Sequence, residues 1–246
     1  MMSLNKVSLT AVVKQQLLYK MKAYKSVYTT MILIQLIAFV FSIGGVGSSG
    51  GGSEFIFVNI TYIGSDMIII FTMMWAFIIA TTITRKENQL MDVSFVTTPI
   101  TSHLSNLMFI ILMSLIGAAS AILSGFLLKL LFIIFKGTDN IIVSHYAIGD
   151  ILLGIGSLSV YLLLLSGVGY LVGALIQRFP ILKMILPAIV IAALFFEGRE
   201  SGVLTEMVTF FAQEKSLLLL TFKVVAAFLV CALLSIGVST RMEVRR

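Results

Sequence analysis

Six apolar runs separated by polar segments constrain this chain more than any other feature. Five of the runs are 17 or more residues long, and one is shorter and contains Pro187 near its start; together they cover residues 27–43, 67–84, 104–135, 148–176, 185–196 and 217–238. A helix of about 20 apolar residues crosses the ~30 Å hydrocarbon core of a bilayer. The pattern predicts an all-α, polytopic membrane protein with six transmembrane helices.

The scarcity of charge supports lipid as the main solvent. Charged residues make up 11% of the chain and hydrophobic residues 59%, whereas a soluble domain carries about 25% charged residues. The net charge of +6 comes from basic residues placed mainly at the ends of the apolar runs, which is typical of membrane orientation rather than nucleic-acid binding. The single cysteine, Cys231, excludes a disulfide within the chain and a cysteine metal cluster.

The N-terminal segment from Ser8 to Tyr24 has the pattern of a basic amphipathic helix. Lys14, Lys22 and Lys25 fall on one side, and the other side is apolar, comprising Leu9, Val12, Val13, Leu17, Met21 and Tyr24. Leu18 and Lys20 depart from the pattern, Lys20 by lying near the apolar side. We expect a helix in the headgroup plane with its lysines toward anionic lipid; the alternative is a solvated basic N-terminus.

Three segments have compositions that predict local structure. The Gly/Ser-rich stretch 44–55 predicts a flexible loop, or an engineered linker, and the segment 55–63 alternates weakly. The run 104–135 would reach about 48 Å as a helix, so it tilts or projects beyond the bilayer. Gly169 and Gly173 form a small-xxx-small pair, which indicates helix packing rather than a site.

The distribution of basic residues predicts the orientation. With six spans, both ends lie on one side, and twelve of the 17 Lys and Arg residues fall on that side. The positive-inside rule then places both termini in the cytoplasm, with the protein in a bacterial plasma membrane. We divide the chain into a connector helix at 1–26, a transmembrane domain at 27–240 and a cytoplasmic tail at 241–246.

No motif for catalysis or cofactor binding is evident in the sequence. GxxxxGK[ST], HExxH and GxSxG are absent, and His103 and His145 are predicted on opposite membrane faces, where they cannot share a metal. We therefore expect no catalytic residue, metal site or cofactor in this chain. Lys129 and Lys223 lie within apolar runs, and we expect both side chains to snorkel to the outer interface.

The polar segment 84–103, TRKENQLMDVSFVTTPITSH, resembles the ABC-2 type permease family, the membrane subunits of ABC exporters. The similarity covers the architecture of the whole chain, and its motif is carried by Arg85, Glu87, Leu90, Pro99, Ile100 and Thr101. Members of that family often have a lysine several residues after the Pro-hydrophobic-Ser/Thr turn. Ser105 and Asn106 stand in that neighbourhood here, which is a departure from the family pattern.

The resemblance implies a division of labour between subunits. A coupling helix would sit in a groove of a separate ATP-binding subunit, which would hold ATP and Mg, through Leu90, Met91, Asp92, Phe95 and Val96. The connector helix, with Lys14, Leu17 and Met21, would touch the same subunit. The outer segment 197–215 would help to close an outer gate, with Glu197, Arg199 and Glu200. Two permease subunits, identical or related, would pair.

The apolar lining expected for such a path suits a hydrophobic or amphipathic cargo, such as an antimicrobial peptide, a drug or a lipid-like molecule. Two alternatives stay open: an ion-coupled carrier or channel, and a membrane immunity protein without transport. An intramembrane enzyme is disfavoured by the absent motifs. Leu90 and Phe95, apolar residues in a polar segment, also have a simpler explanation, since they could dip into the bilayer interface.

Overall fold

The computed structural model describes residues 9–44, 47–53, 56–62, 64–85, 88, 99–136, 147–197, 203–214 and 216–243. Within these ranges the chain forms eight helices and one two-stranded sheet. The helices are α1 (Leu9–Ala23), α2 (Lys25–Gly44), α3 (Asp66–Ile83), α4 (Pro99–Lys136), α5 (Ile148–Arg178), α6 (Leu182–Glu197), α7 (Val203–Ala212) and α8 (Leu217–Glu243). The strands are β1 (Gly47–Ser53) and β2 (Ile56–Tyr62).

Five helices, α2, α3, α4, α5 and α8, are long and apolar enough to cross a membrane. By helix length and hydropathy the chain is therefore a multi-pass membrane protein, as its apolar runs predict. The predicted fifth span corresponds to α6, which has 16 residues and a length of about 24 Å. Pro187 lies inside α6 and removes one backbone donor. The structure therefore supports five spans by length, rather than the six predicted.

The bundle is arranged around α3 and α5. Helix α3 contacts α2, α4 and α5, and α5 also packs against α8. Large apolar side chains on the outside of α8 are left uncovered, with Leu218 82% and Phe222 76% exposed. Apolar side chains in this position match a lipid environment, where helices satisfy their own backbone hydrogen bonds.

The Gly169–Gly173 pair forms the contact between α5 and α3. A Cβ atom added at Gly169 would lie 2.5 Å from the Phe77 carbonyl oxygen, and one at Gly173 would lie 2.9 Å from the Thr81 carbonyl oxygen. Because both contacts advance in the same direction along the two helices, α3 and α5 run parallel. The prediction that this pair serves packing is confirmed.

The Gly-rich segment, predicted as a flexible loop or linker, forms a β-hairpin instead. β1 pairs antiparallel with β2, placing Gly47 opposite Tyr62 and Ser53 opposite Ile56. The sequence of β2, IFVNITY, is rich in residue types that favour strands. Antiparallel pairing needs only the backbone N–H and C=O groups of β1, so a strand-forming partner can order a glycine-rich sequence.

Helix α4 begins earlier than predicted. It starts at Pro99, so residues 99–103, assigned to the polar loop, form its first turn instead. Proline suits the first helical position because the amide that it lacks would have no partner there. With 38 residues, α4 reaches about 57 Å, so it extends well beyond one hydrocarbon core.

Alanine substitutions distinguish the effect of the α3–α5 contact on stability from the effect of helix propensity. We expect Gly173→Ala to destabilise the protein by about 1–3 kcal/mol, because the new Cβ atom must displace the α3 backbone. Gly237→Ala is the matched control, since no described atom beyond its own helical turn lies within 4 Å of the added Cβ, and alanine there should stabilise the helix by about 0.5–1 kcal/mol. Thermal unfolding in detergent measures both, and equal shifts would contradict the packing role.

Candidate functional site

Helix α1 is joined to the start of α4 by a buried lysine. Lys20 is 1% exposed; its Nζ donates to Ser105 Oγ at 2.7 Å and also to Asn106 Oδ1. A buried ammonium group is stable only when it is paired and hydrogen-bonded. We call the set of Gln16, Lys20, Ser105 and Asn106 the Lys20 junction, and the end of the bundle that contains it the Lys20 end.

The two helices run in the same direction at this junction. The Tyr24 ring packs against the Phe109 ring with centroids 5.6 Å apart, and these residues lie about one turn beyond Lys20 and Ser105. A step of four residues backward places Gln16 next to Thr101, in the first turn of α4. Helix α1 therefore lies alongside the beginning of α4.

Gln16 is buried without a hydrogen-bond partner in the described part of the chain. It is 1% exposed, and neither its Nε2 nor its Oε1 atom is paired there. An unsatisfied buried polar group destabilises a protein by about 1–3 kcal/mol. The Lys20 junction therefore contains one paired group, the Lys20 ammonium, and one unpaired group, the Gln16 amide. The unpaired amide weakens the attachment of α1 to α4.

The sequence pattern identified the connector helix but missed its central residue. Lys14 is exposed, as predicted, and Leu17 and Met21 are partly buried against the core. Lys20 is the residue that joins α1 to α4, and its position near the apolar side was the available signal. Leu9, assigned to the apolar face, is 62% exposed, so the buried face is narrower than predicted.

Two further polar contacts join helices at the Lys20 end. His103 Nδ1 lies 2.6 Å from the Tyr170 hydroxyl, connecting α4 with α5. The side-chain amide of Gln177 donates to the Thr84 carbonyl oxygen, connecting α5 with the end of α3. With Lys20, these contacts link α1, α3, α4 and α5 at one end of the bundle.

A polar cluster also lies inside the spans. Gln35 Nε2 donates to Ser120 Oγ at 2.9 Å and to Thr72 Oγ1 at 3.4 Å, and Trp75 Nε1 donates to Thr30 Oγ1 at 3.2 Å. Polar side chains that bond across membrane helices stabilise their association. Gln35, the only strongly polar residue of its run, thereby fixes α2 against α3 and α4.

Lys223, which we expect to snorkel to the outer interface, lies in α8 next to the end of α7. Its ammonium group pairs with the Glu214 carboxylate, and it lies 3.9 Å from the centroid of the Phe210 ring. These two partners explain how α8 holds a lysine about two turns from its start. The Tyr161 hydroxyl donates to the Phe211 carbonyl oxygen at 3.2 Å, so α7 is attached to both α5 and α8.

The residues implied by the family resemblance fall mostly outside the described part of the chain. Glu197 is the last residue of α6. The structure describes neither Arg199 and Glu200 of the outer gate nor the coupling-helix residues Leu90, Met91, Asp92, Phe95 and Val96. Their roles stay predictions.

Replacing Lys20 tests the attachment of α1. We expect Lys20→Met to free α1, because Ser105 and Asn106 lose a charged donor, a contribution of about 1.5–3 kcal/mol. Hydrogen exchange of residues 9–23 should then accelerate by roughly tenfold or more. Lys22→Met is the control, since Lys22 is exposed on the same helix, and it should leave exchange unchanged. Similar exchange in the two variants would contradict the junction.

A charge swap tests the attachment of α7. Lys223→Glu alone should weaken it by roughly 1 kcal/mol, since the pair is partly exposed, and should increase proteolysis within Val203–Ala212. The double variant Lys223→Glu/Glu214→Lys restores opposite charges and should recover protection. A double variant cleaved as fast as the single variant would show that the ion pair does not hold α7.

No protein-family model, curated protein or solved structure matches this chain.

Proposed function

We propose that this membrane protein is the permease subunit of an ATP-driven ABC exporter. It would pair with a second permease subunit and with a separate nucleotide-binding subunit that holds ATP and Mg. Its cargo would be hydrophobic or amphipathic, such as an antimicrobial peptide, a drug or a lipid-like molecule. In this proposal α6 is the fifth of six spans, and both termini are cytoplasmic in a bacterial plasma membrane.

The observation that carries this proposal is the attachment of α1 to α4 through Lys20. Helix α1 continues into α2 with only Tyr24 between them, and the Tyr24 amide still donates to the Lys20 carbonyl oxygen at 2.9 Å. A partner that moves α1 would therefore move α2 through the chain and α4 through the Lys20 side chain. A helix with this attachment can transmit a displacement from a soluble subunit into two spans.

The two described ends of the polar segment 84–103, at Thr84 and at residues 99–103, lie at the same end of the bundle. The segment connects the end of α3 with the start of α4, and the contacts Gln177–Thr84 and His103–Tyr170 attach both helix ends to α5. A subunit that bound Leu90 and Phe95 would act on helices already joined to one another. The proposal therefore assigns α1 and this segment to one shared docking surface.

The Lys20 contact also bears on the departure from the family pattern. Ser105 and Asn106 occupy the neighbourhood in which family members often have a lysine, and here both accept hydrogen bonds from the ammonium group of Lys20. Helix α1 therefore supplies a lysine to that place from a position 85 residues away. The lysine belongs to a different element, so the departure from the family motif remains.

Acidic substitutions in the polar segment test the proposal. With a nucleotide-binding subunit co-expressed, we expect Leu90→Asp/Phe95→Asp to insert normally but to uncouple ATP hydrolysis from transport. Each apolar side chain contributes about 1.5–3 kcal/mol when buried, so binding of the partner should fall by roughly a hundredfold or more. Gly149→Asp is the control, because it adds a charge at an exposed position at the opposite end of the bundle and outside the segment 197–215.

Other outcomes would overturn the proposal. Unchanged ATP-driven transport in the double variant would remove the coupling role of Leu90 and Phe95. Transport driven in vesicles by an ion gradient, without a nucleotide-binding subunit, would identify an ion-coupled carrier. Protection of cells from a toxic peptide with no transport would identify an immunity protein.

A further inference from the structure

A cavity of about 190 Å³ lies at the end of the bundle opposite the Lys20 junction. It is open on one side and is bordered by the start of α3, the second half of α4 and the first two turns of α5. Its lining residues are Ser65, Ile122, Gly125, Phe126, Lys129, Asp150, Ile151 and Gly154. None of them belongs to the Lys20 junction or to the attachment of α7.

Two glycines on facing helices shape this cavity. At Gly125, an added Cβ atom would lie 2.9 Å from the Ser65 Cβ atom, so α3 and α4 meet closely there. At Gly154, an added Cβ atom would lie 3.8 Å from the nearest side-chain atom, Ile122 Cδ1. Helix α5 thus leaves space next to Gly154 that a larger side chain would fill.

The cavity carries one positive and one negative group on different helices. Lys129 belongs to α4, and its ammonium group lies 5.9 Å from the centroid of the Phe126 ring. Asp150 belongs to the first turn of α5, where its carboxylate accepts a hydrogen bond from the Ala147 amide at 3.1 Å. The walls therefore carry an ammonium group and a carboxylate on two different helices.

The size of the cavity limits its occupant. Its volume corresponds to roughly six water molecules at about 30 Å³ each. Pockets for drug-sized ligands measure about 300–1,000 Å³, so a whole drug or peptide does not fit. A small polar group that bears both charges does.

The position of the cavity indicates where such a group would come from. Ser65 directly precedes α3, and Asp150 is the third residue of α5, so the cavity lies where two membrane helices begin. This is the depth at which lipid headgroups lie. A headgroup could enter the cavity while its acyl chains stay along the exposed apolar faces of the helices.

We propose that this cavity binds the phosphoethanolamine headgroup of a membrane lipid. Lys129 takes the phosphate, and the Asp150 carboxylate accepts hydrogen bonds from the primary ammonium group. A phosphoglycerol headgroup offers Asp150 only neutral hydroxyl groups, and a choline headgroup has no N–H donor to offer it. Binding requires neither ATP nor a partner subunit, so the proposal does not depend on the exporter function.

Lipid retention by the purified chain tests the proposal. Native mass spectrometry in detergent, with phosphatidylethanolamine and phosphatidylglycerol of equal acyl chains, should show roughly tenfold preferential retention of phosphatidylethanolamine. Gly154→Leu should abolish the preference by filling the cavity. Gly149→Leu is the matched control, since it adds the same side chain in the first turn of α5, where no described atom beyond its own helical turn lies within 4 Å of the Cβ, and it should keep the preference.

Charge variants test the recognition of each group without filling the space. Asp150→Asn should remove the preference over phosphatidylglycerol, and Lys129→Gln should weaken retention of both lipids by roughly tenfold. Asp66→Asn, which neutralises an acid at the start of α3 outside the cavity, should change neither. Displacement of the lipid by free phosphoethanolamine would support a cavity that takes the soluble compound. Failure to displace the lipid would support a cavity that takes the headgroup only as part of a lipid.

Two results would overturn the proposal. One is equal retention of the two lipids by the unmodified chain. The other is an unchanged preference in both Gly154→Leu and Asp150→Asn, measured on samples with unaltered thermal stability. Either result would show that the cavity does not select a headgroup by its two charges.

Discussion

The need to pair polar side chains inside an apolar bundle determines which helices of this protein are held together. Lipid offers no partner to a buried amide or ammonium group, so a partner on a neighbouring helix stabilises such a group; in the described part of the chain, the Gln16 amide is left without one. Lys20 joins α1 to α4, Gln35 joins α2 to α3 and α4, and His103 joins α4 to α5. The apolar contacts fill the space between these helices, whereas the polar contacts select the neighbours.

The sequence predicted the helices well because hydropathy is a local property. The described bounds of α2, α3, α5 and α8 begin or end within a few residues of the apolar runs. The role of Lys20 could not be predicted, because its partners Ser105 and Asn106 lie 85 and 86 residues away. The β-hairpin was missed for a similar reason, since a glycine-rich strand is ordered by its partner rather than by its own composition.

Whether the chain has five or six spans depends on α6, whose apolar sequence favours a crossing and whose length does not. Helix α6 is apolar but has 16 residues and an internal proline, which makes it short for a complete crossing. The predicted cytoplasmic location of both termini requires α6 to cross, because five crossings would separate the two ends of the chain. The distribution of basic residues therefore favours six crossings, whereas the length of α6 favours five.

The close contact between α3 and α5 has a consequence for how the bundle can change shape. At Gly169 and Gly173 the two backbones approach without intervening side chains, so neither helix can slide or roll without a collision of main-chain atoms. These two helices therefore form a stiff spine. Any rearrangement would have to occur where exchangeable side-chain hydrogen bonds connect the helices, as between α2 and its neighbours around Gln35, and this leaves α2 as the element able to swing against that spine.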